Sequence, residues 1–90
     1  MAKLIDYWSL ECDVCKQVAP LLDRLKKEEK VSVTKKEVTK NEANAKKMRA
    51  LAGEHGCMSM PVIINSDTKK VLCGHAANNY AALKKLAGVK

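Results

Sequence analysis

Aromatic side chains are scarce in this sequence of 90 residues: phenylalanine is absent, and aromatic residues make up only 3% of the chain. Leucine, valine, isoleucine, alanine and methionine must therefore form the core. Hydrophobic residues amount to 47%, which is enough for a folded domain. The scarcity also disfavours binding of single-stranded nucleic acid, because such binding uses aromatic side chains as stacking platforms.

Long apolar runs are missing as well. No run approaches the roughly 20 residues that a membrane-spanning helix needs, and the opening MAKLIDYW is too short for a secretory signal and is interrupted by Asp6. We therefore expect one domain over residues 1–90, located in the cytoplasm and without a membrane segment. In a reducing compartment, the four cysteines are expected to serve catalysis or metal binding rather than structural disulfides.

Acidic residues are outnumbered by basic ones, which leaves a net charge of +7. Much of the positive charge lies in Lys-rich segments between Arg24 and Arg49, where glutamates such as Glu28 and Glu37 interrupt the lysines. This mixture is typical of a solvated surface, so no nucleic-acid partner is expected. The excess of positive charge favours acidic protein partners by electrostatic steering.

The order of hydrophobic patterns predicts an α/β fold. Strands are predicted over Lys3–Trp8, 31–38, 61–65 and 70–73, and helices over about 14–25, 41–53 and 78–87. The first helix carries Val14, Val18, Leu21, Leu22 and Leu25 on one face. The second helix is capped by Asn41, and Pro20 is expected to kink the first. The order β-α-β-α-β-β-α predicts one four-stranded mixed sheet with helices on both faces.

Two cysteines, Cys12 and Cys15, stand where the first strand gives way to the first helix. The N-terminus of a helix offers free N–H groups and the positive end of the helix dipole, and both favour a thiolate. Two intervening residues suit a disulfide across one helical turn. We therefore expect Cys12, at the exposed helix end, to attack a disulfide, and Cys15 to resolve the product.

Zinc binding is the alternative function for the cysteines, since a structural zinc site draws two ligand pairs together. Cys57 and Cys73 are flanked by His55 and His75 in mirrored order, and these four residues could form a separate metal clip. Neither pair has the spacing of a zinc ribbon. We expect instead that Cys57 and Cys73 pack as small buried apolar side chains, and we expect no metal site.

At this point the residues resemble the thioredoxin family. The segment 7–25 shares several features with that family: an aromatic residue followed by Trp, the CxxC motif with a Lys after it, an Ala-Pro pair and a later Asp. Further along the chain, Met60-Pro61-Val62 and Gly74 resemble two other motifs of the family. The resemblance covers nearly the whole chain but lacks the first strand and helix of full-length thioredoxins. It therefore implies a thioredoxin-like fold of the compact kind found in thioredoxin- and glutaredoxin-like proteins.

The resemblance also implies roles for residues beyond the cysteines. It implies that Asp6 is a buried carboxylate that accepts the proton of the resolving thiol, with Lys35 in the neighbouring strand as its partner. Burial of an aspartate in an apolar strand raises its pKa, which suits that role. A cis bond is implied before Pro61, which would leave the Met60 backbone free to pair with a peptide.

A surface for protein substrates is implied around Cys12, formed by Met60, Pro61, Cys73 and Gly74. The chain departs from the family next to the cysteines. Glu11 replaces the usual Trp, and Asp13-Val14 replaces the usual Gly-Pro. The two acidic residues oppose the helix dipole, and weaker stabilisation of the thiolate favours a reductant over an oxidant.

Together these observations predict a monomeric enzyme that reduces protein disulfides and needs no cofactor besides its own Cys12–Cys15 disulfide. A thioredoxin reductase-like protein would supply its electrons. Two alternatives stay open: recycling by glutathione, as in glutaredoxins, and metal or iron–sulfur binding through the cysteines.

Overall fold

The computed structural model describes residues 3–89 of the chain. Its strands form one mixed sheet. They are β1 (Lys3–Trp8), β2 (Ser32–Glu37), β3 (Val62–Asn65) and β4 (Val71–Cys73), and they stand in the order β2-β1-β3-β4. β1 pairs with β2 in parallel and with β3 antiparallel, while β3 and β4 form an antiparallel hairpin. The predicted mixed four-stranded sheet is confirmed.

Three α-helices connect or follow these strands. They are α1 (Asp13–Glu29), α2 (Glu42–His55) and α3 (Tyr80–Leu86). α2 begins where the sequence indicated, because the Asn41 side chain accepts the Asn44 N–H at 3.1 Å. Gly56 caps the C-terminal end of α2, and its φ of 69° lies in the left-handed region that glycine adopts without a Cβ clash.

One face of the sheet is covered by α1 and α3. The predicted apolar stripe of α1 lies there, with Val18, Leu22 and Leu25 fully buried against Leu4 of β1. Leu83 of α3 joins the same cluster. The apolar face predicted for the first helix is therefore confirmed as part of this core.

The other face of the sheet is covered by α2 alone. Tyr7, Val62 and Ile64 are buried there, and Met48 and Leu51 of α2 pack against them. Because side chains alternate along β1, Leu4 and Asp6 face α1 while Tyr7 faces α2. The central strand is thus covered on both sides, as its mostly apolar sequence predicted.

A short 3-10 helix, Gly74–Ala77, was not predicted. It follows β4 directly, and α3 therefore begins at Tyr80 rather than at the predicted residue 78. Four residues of 3-10 helix carry too little periodic signal to be read from sequence. Within residues 3–89, no helix is long and apolar enough to cross a membrane.

Replacing Leu22 by alanine tests the α1 core. Leu22 is 0% exposed, so the substitution should leave a cavity and lower the free energy of unfolding by about 2–5 kcal/mol. Urea denaturation followed by circular dichroism measures this change. Met58→Ala is the matched control, because Met58 is 96% exposed and its loss should cost less than about 0.5 kcal/mol. Equal effects of the two substitutions would contradict the described packing.

Candidate active site

The register of the sheet brings the predicted site residues to one edge. Tyr7 near the end of β1 pairs with Val62 at the start of β3, and Val62 pairs with Cys73 at the end of β4. The Cys12–Cys15 segment follows β1, and Pro61 directly precedes β3. The two cysteines, Met60-Pro61 and Cys73-Gly74 therefore leave the sheet at the same edge.

Ser9 shapes the loop between β1 and α1. Its carbonyl accepts the Cys12 N–H at 3.2 Å, and its Oγ accepts the Glu11 N–H at 3.2 Å. The same Oγ lies 2.6 Å from Oγ1 of Thr39, which follows β2. Sequence reasoning missed this role, although a serine directly after a strand is a known signal for such local hydrogen bonds.

Cys12 is the N-cap residue of α1, and its side chain is half-buried. Its Sγ accepts the Cys15 N–H at 3.1 Å. An N–H donor and the positive end of the helix dipole therefore both face this sulfur. Glu11 and Asp13, on either side of Cys12, are exposed, so solvent screens their negative charges.

Cys15 lies one turn inside α1 and is only 3% exposed. Burial, and then its hydrogen bond with Cys12, raise the pKa of the Cys15 thiol. The accessible sulfur of Cys12 thus lies in front of the buried sulfur of Cys15. Both are free thiols in this structure, so the pair is described in its reduced state.

Asp6 lies behind the cysteines and is 3% exposed, so its carboxyl is buried, as the family resemblance implied. Burial raises the pKa of its carboxyl to about 6, against an opposing effect of the Lys35 charge. Its Oδ1 has no hydrogen-bond partner among the described residues. A cavity of about 110 Å³ is lined by Asp6, Trp8 and Cys15, so the carboxyl and the buried thiol share one space.

Lys35 pairs with Asp6 across the β1–β2 ladder and lines the same cavity. Its Nζ also donates to Oδ1 of Asp23 at 3.4 Å, which holds the ammonium near the solvent-exposed side of α1. Lys35 therefore influences Asp6 through its charge. Trp8 is a further member of the site that sequence reasoning assigned no role, and its buried Nε1 has no hydrogen-bond partner within residues 3–89.

The segment directly before β3 forms the other side of the site. The Met60-Pro61 peptide bond is cis, as the family resemblance implied. The Pro61 carbonyl accepts the Gly74 N–H at 2.9 Å. Gly74 has a φ of 63°, and a Cβ there would collide with Oγ of Ser59, so both conformation and space require glycine.

Cys57 and Cys73 form a disulfide, with their Cα atoms 6.0 Å apart. The expectation that they pack as free apolar thiols is therefore wrong, and so is the expectation that the four cysteines avoid structural pairing. Sequence could not reveal the bond, since it depends on where α2 ends and on the pairing of Cys73 with Val62. Among the described residues, no group of three or more His, Cys, Asp or Glu side chains could hold a metal ion.

The chain matches a known protein family. The family model described as Thioredoxin matches residues 1–87. A thioredoxin of Bacillus subtilis strain 168 is 33% identical over 63 residues, which cover 68% of this chain and 54% of that protein. The match thus spans about half the length of this relative.

Solved structures show the same fold. A mutant thioredoxin from Halobacterium salinarum superposes with a TM-score of 0.67 at 24% identity, covering 96% of this chain and 71% of that one. A glutaredoxin from Archaeoglobus fulgidus gives a TM-score of 0.66 at 26% identity, covering 96% and 86%. The thioredoxin of Fasciola hepatica gives 0.65 at 25% identity, covering 97% and 78%.

The raised pKa of Asp6 predicts how stability depends on pH. Below the unfolded pKa of 3.8 the carboxyl is protonated in both states, and no penalty arises. As pH rises through about 6, the native state must bury a charge that the unfolded chain leaves in water, so stability falls. Asp6→Asn should therefore stabilise the protein above pH 7 by up to about 3 kcal/mol, and this gain should vanish near pH 4.

Urea titrations at several pH values measure this difference between the variant and the parent. Asp67→Asn serves as the matched control, because Asp67 is exposed in the β3–β4 turn and should show no such pH-dependent gain. A constant difference between Asp6→Asn and the parent from pH 4 to pH 8 would contradict the described burial of the carboxyl.

Proposed function

Because the chain belongs to the thioredoxin family, we propose that it is a thiol–disulfide oxidoreductase that reduces protein disulfides through Cys12 and Cys15. One observation carries the proposal. A half-exposed sulfur caps α1 and accepts an N–H from Cys15, whose own buried thiol stands directly behind it. This is the arrangement that a two-step exchange through a mixed disulfide needs.

The proposed reaction begins when the Cys12 thiolate attacks one sulfur of a target disulfide. A bond forms between Cys12 and the target, and the other target sulfur leaves as a thiolate. The Cys15 sulfur then attacks Sγ of Cys12, which closes the Cys12–Cys15 disulfide and releases the second target thiolate. Two electrons have passed to the target, and a reductant must restore the dithiol.

Asp6 is the proposed acceptor of the Cys15 proton. The raised pKa of the Cys15 thiol means that it does not ionise readily by itself, so the second step needs a base. Asp6 shares a cavity with Cys15, and its pKa of about 6 leaves it ionised but basic at neutral pH. Lys35 would tune this base through its charge rather than contact the reacting sulfurs.

Protein substrates are proposed to lie across Met60, Pro61, Cys73 and Gly74, which share the sheet edge with Cys12. The net charge of +7 would favour substrates with acidic surfaces. We further propose that the chain acts as a monomer in the cytoplasm, where a thioredoxin reductase-like protein supplies electrons. The reaction itself requires no cofactor beyond the two cysteines.

Serine substitutions at the two cysteines test the mechanism. Cys12→Ser removes the attacking sulfur, so reduction of insulin should fall to background. Cys15→Ser keeps the attack but removes its resolution, so mixed disulfides between Cys12 and insulin should accumulate. Insulin turbidity measures turnover, and mass spectrometry under non-reducing conditions detects the trapped species.

The two variants are matched controls for each other, because both remove one thiol from the same helical turn. Trapping by Cys12→Ser instead of Cys15→Ser would reverse the proposed roles. Normal insulin reduction by both variants would overturn the proposed function.

A second candidate is glutathione-linked activity. The observation that favours it is the glutaredoxin from Archaeoglobus fulgidus, of which this chain covers 86%, more than it covers of the two thioredoxin structures compared above. Basic side chains could receive the carboxylates of glutathione, such as Lys16 beside the cysteines.

Comparison of two electron donors separates the candidates. The proposed reductase should be re-reduced by NADPH with a thioredoxin reductase much faster than by NADPH with glutathione and glutathione reductase. NADPH consumption at equal insulin concentration measures both rates. A faster rate with glutathione would assign the chain to the second candidate.

A further inference from the structure

The Cys57–Cys73 disulfide exchanges no electrons in the proposed reaction, yet it lies at the edge of the sheet that carries the site. Cys57 follows the Gly56 that ends α2, and Cys73 is the last residue of β4. Both are half-buried against the face of the sheet that carries Tyr7 and Val62. Only 16 positions separate them, and Met60-Pro61 lies in the interval.

Residues 57–61, here called the substrate loop, are held at both ends by the end of β4. At one end the Pro61 carbonyl accepts the Gly74 N–H at 2.9 Å, and the next residue, Val62, pairs with Cys73. At the other end Cys57 is bonded covalently to the same Cys73. The loop is therefore closed into a small ring through Cys73.

Between these anchors the loop is open to solvent. Met58 is 96% exposed and Ser59 is also exposed. Among the described residues, the backbone groups of residues 58–60 take part in no backbone–backbone hydrogen bond. A short free edge of this kind can pair with an extended segment of another protein, in the manner of an added strand.

We infer that the Cys57–Cys73 disulfide positions the substrate loop for pairing with an extended protein segment, and thereby sets the preference of Cys12 for protein disulfides over small disulfides. The inference rests on the proposed function, since it concerns substrates of that site. Without the disulfide, residues 58–60 lose one of their two anchors. Binding a protein segment then has to order the loop, and this cost weakens binding. A small disulfide touches only Cys12 and bears no such cost.

Reaction of Cys12 with two disulfides of different size tests the inference. In a Cys15→Ser background, Cys12 forms a mixed disulfide in one step, so its second-order rate constant can be measured by stopped flow. Adding Cys57→Ala and Cys73→Ala should lower the ratio of the insulin rate to the dithiodipyridine rate about tenfold.

Val71→Ala in the same background is the matched control. Val71 packs half-buried against the same cluster but is not bonded to the loop, so it reports the effect of weakened packing alone. An unchanged ratio of the insulin and dithiodipyridine rates on loss of the disulfide, or an equal change with Val71→Ala, would overturn the inference. Reaction of Cys12 with neither disulfide would instead overturn the proposed function.

A second measurement leaves the disulfide cysteines in place. The Cys12→Ser/Cys15→Ser variant retains only Cys57 and Cys73, so a dithiol acts on that pair alone. Dithiothreitol supplies two electrons and two protons: its own thiols become a cyclic disulfide, while Cys57 and Cys73 become thiols.

Nuclear magnetic resonance order parameters of residues 58–60, measured before and after this reduction, follow the loop directly. We expect them to fall from about 0.85 to below about 0.6, the values of rigid and flexible backbone. Those of residues 67–69 in the β3–β4 turn should not change. Equal order parameters of the substrate loop in both states would overturn the inference.

Discussion

β1 is hydrogen-bonded along both of its edges, to β2 in parallel and to β3 antiparallel, and every part of the candidate site depends on this central position. The parallel ladder places Lys35 beside Asp6. The antiparallel ladder brings the start of β3, and hence Met60-Pro61, beside the end of β1, from which the cysteines follow. A shift of one residue in either ladder would turn Asp6 away from α1 and separate it from Cys15. Strand pairing therefore brings Asp6, Lys35 and Met60-Pro61 to the two cysteines, whose own proximity is local.

The same central position makes Asp6 costly for the fold. Both faces of β1 are covered, so an ionised carboxyl there loses its hydration, and Oδ1 finds no compensating partner within residues 3–89. The Lys35 charge offsets only part of this loss, because burial has the larger effect on the pKa. Stability must come from the apolar side chains on either side, of which Leu4 is fully buried. A destabilising group that persists in a core is the pattern expected of a functional site rather than of packing.

Much of this fold follows from sequence, because its strongest signals are local. The stripe of Val18, Leu22 and Leu25 and the Asn41 cap each depend on residues within a few positions of each other. The placement of the cysteines at a helix start is equally local. Asp6 was assigned a role only through family resemblance, since its burial depends on packing of α1 against β1. The Cys57–Cys73 bond could not be predicted because it depends on strand register, and the 3-10 helix at Gly74 is too short to give a periodic signal.

The two cysteine pairs differ in what their oxidation state can change. Cys12 and Cys15 lie within one helical turn, and in the reduced state the Cys15 N–H donates to the Cys12 sulfur, so both cysteines belong to one local segment. Cys57 and Cys73 belong to separate elements, and their bond ties the end of α2 to the last strand. Opening it removes a tertiary link next to Met60. The oxidation state of the first pair therefore concerns one helical turn, whereas that of the second pair concerns how two separate elements are joined beside Met60-Pro61.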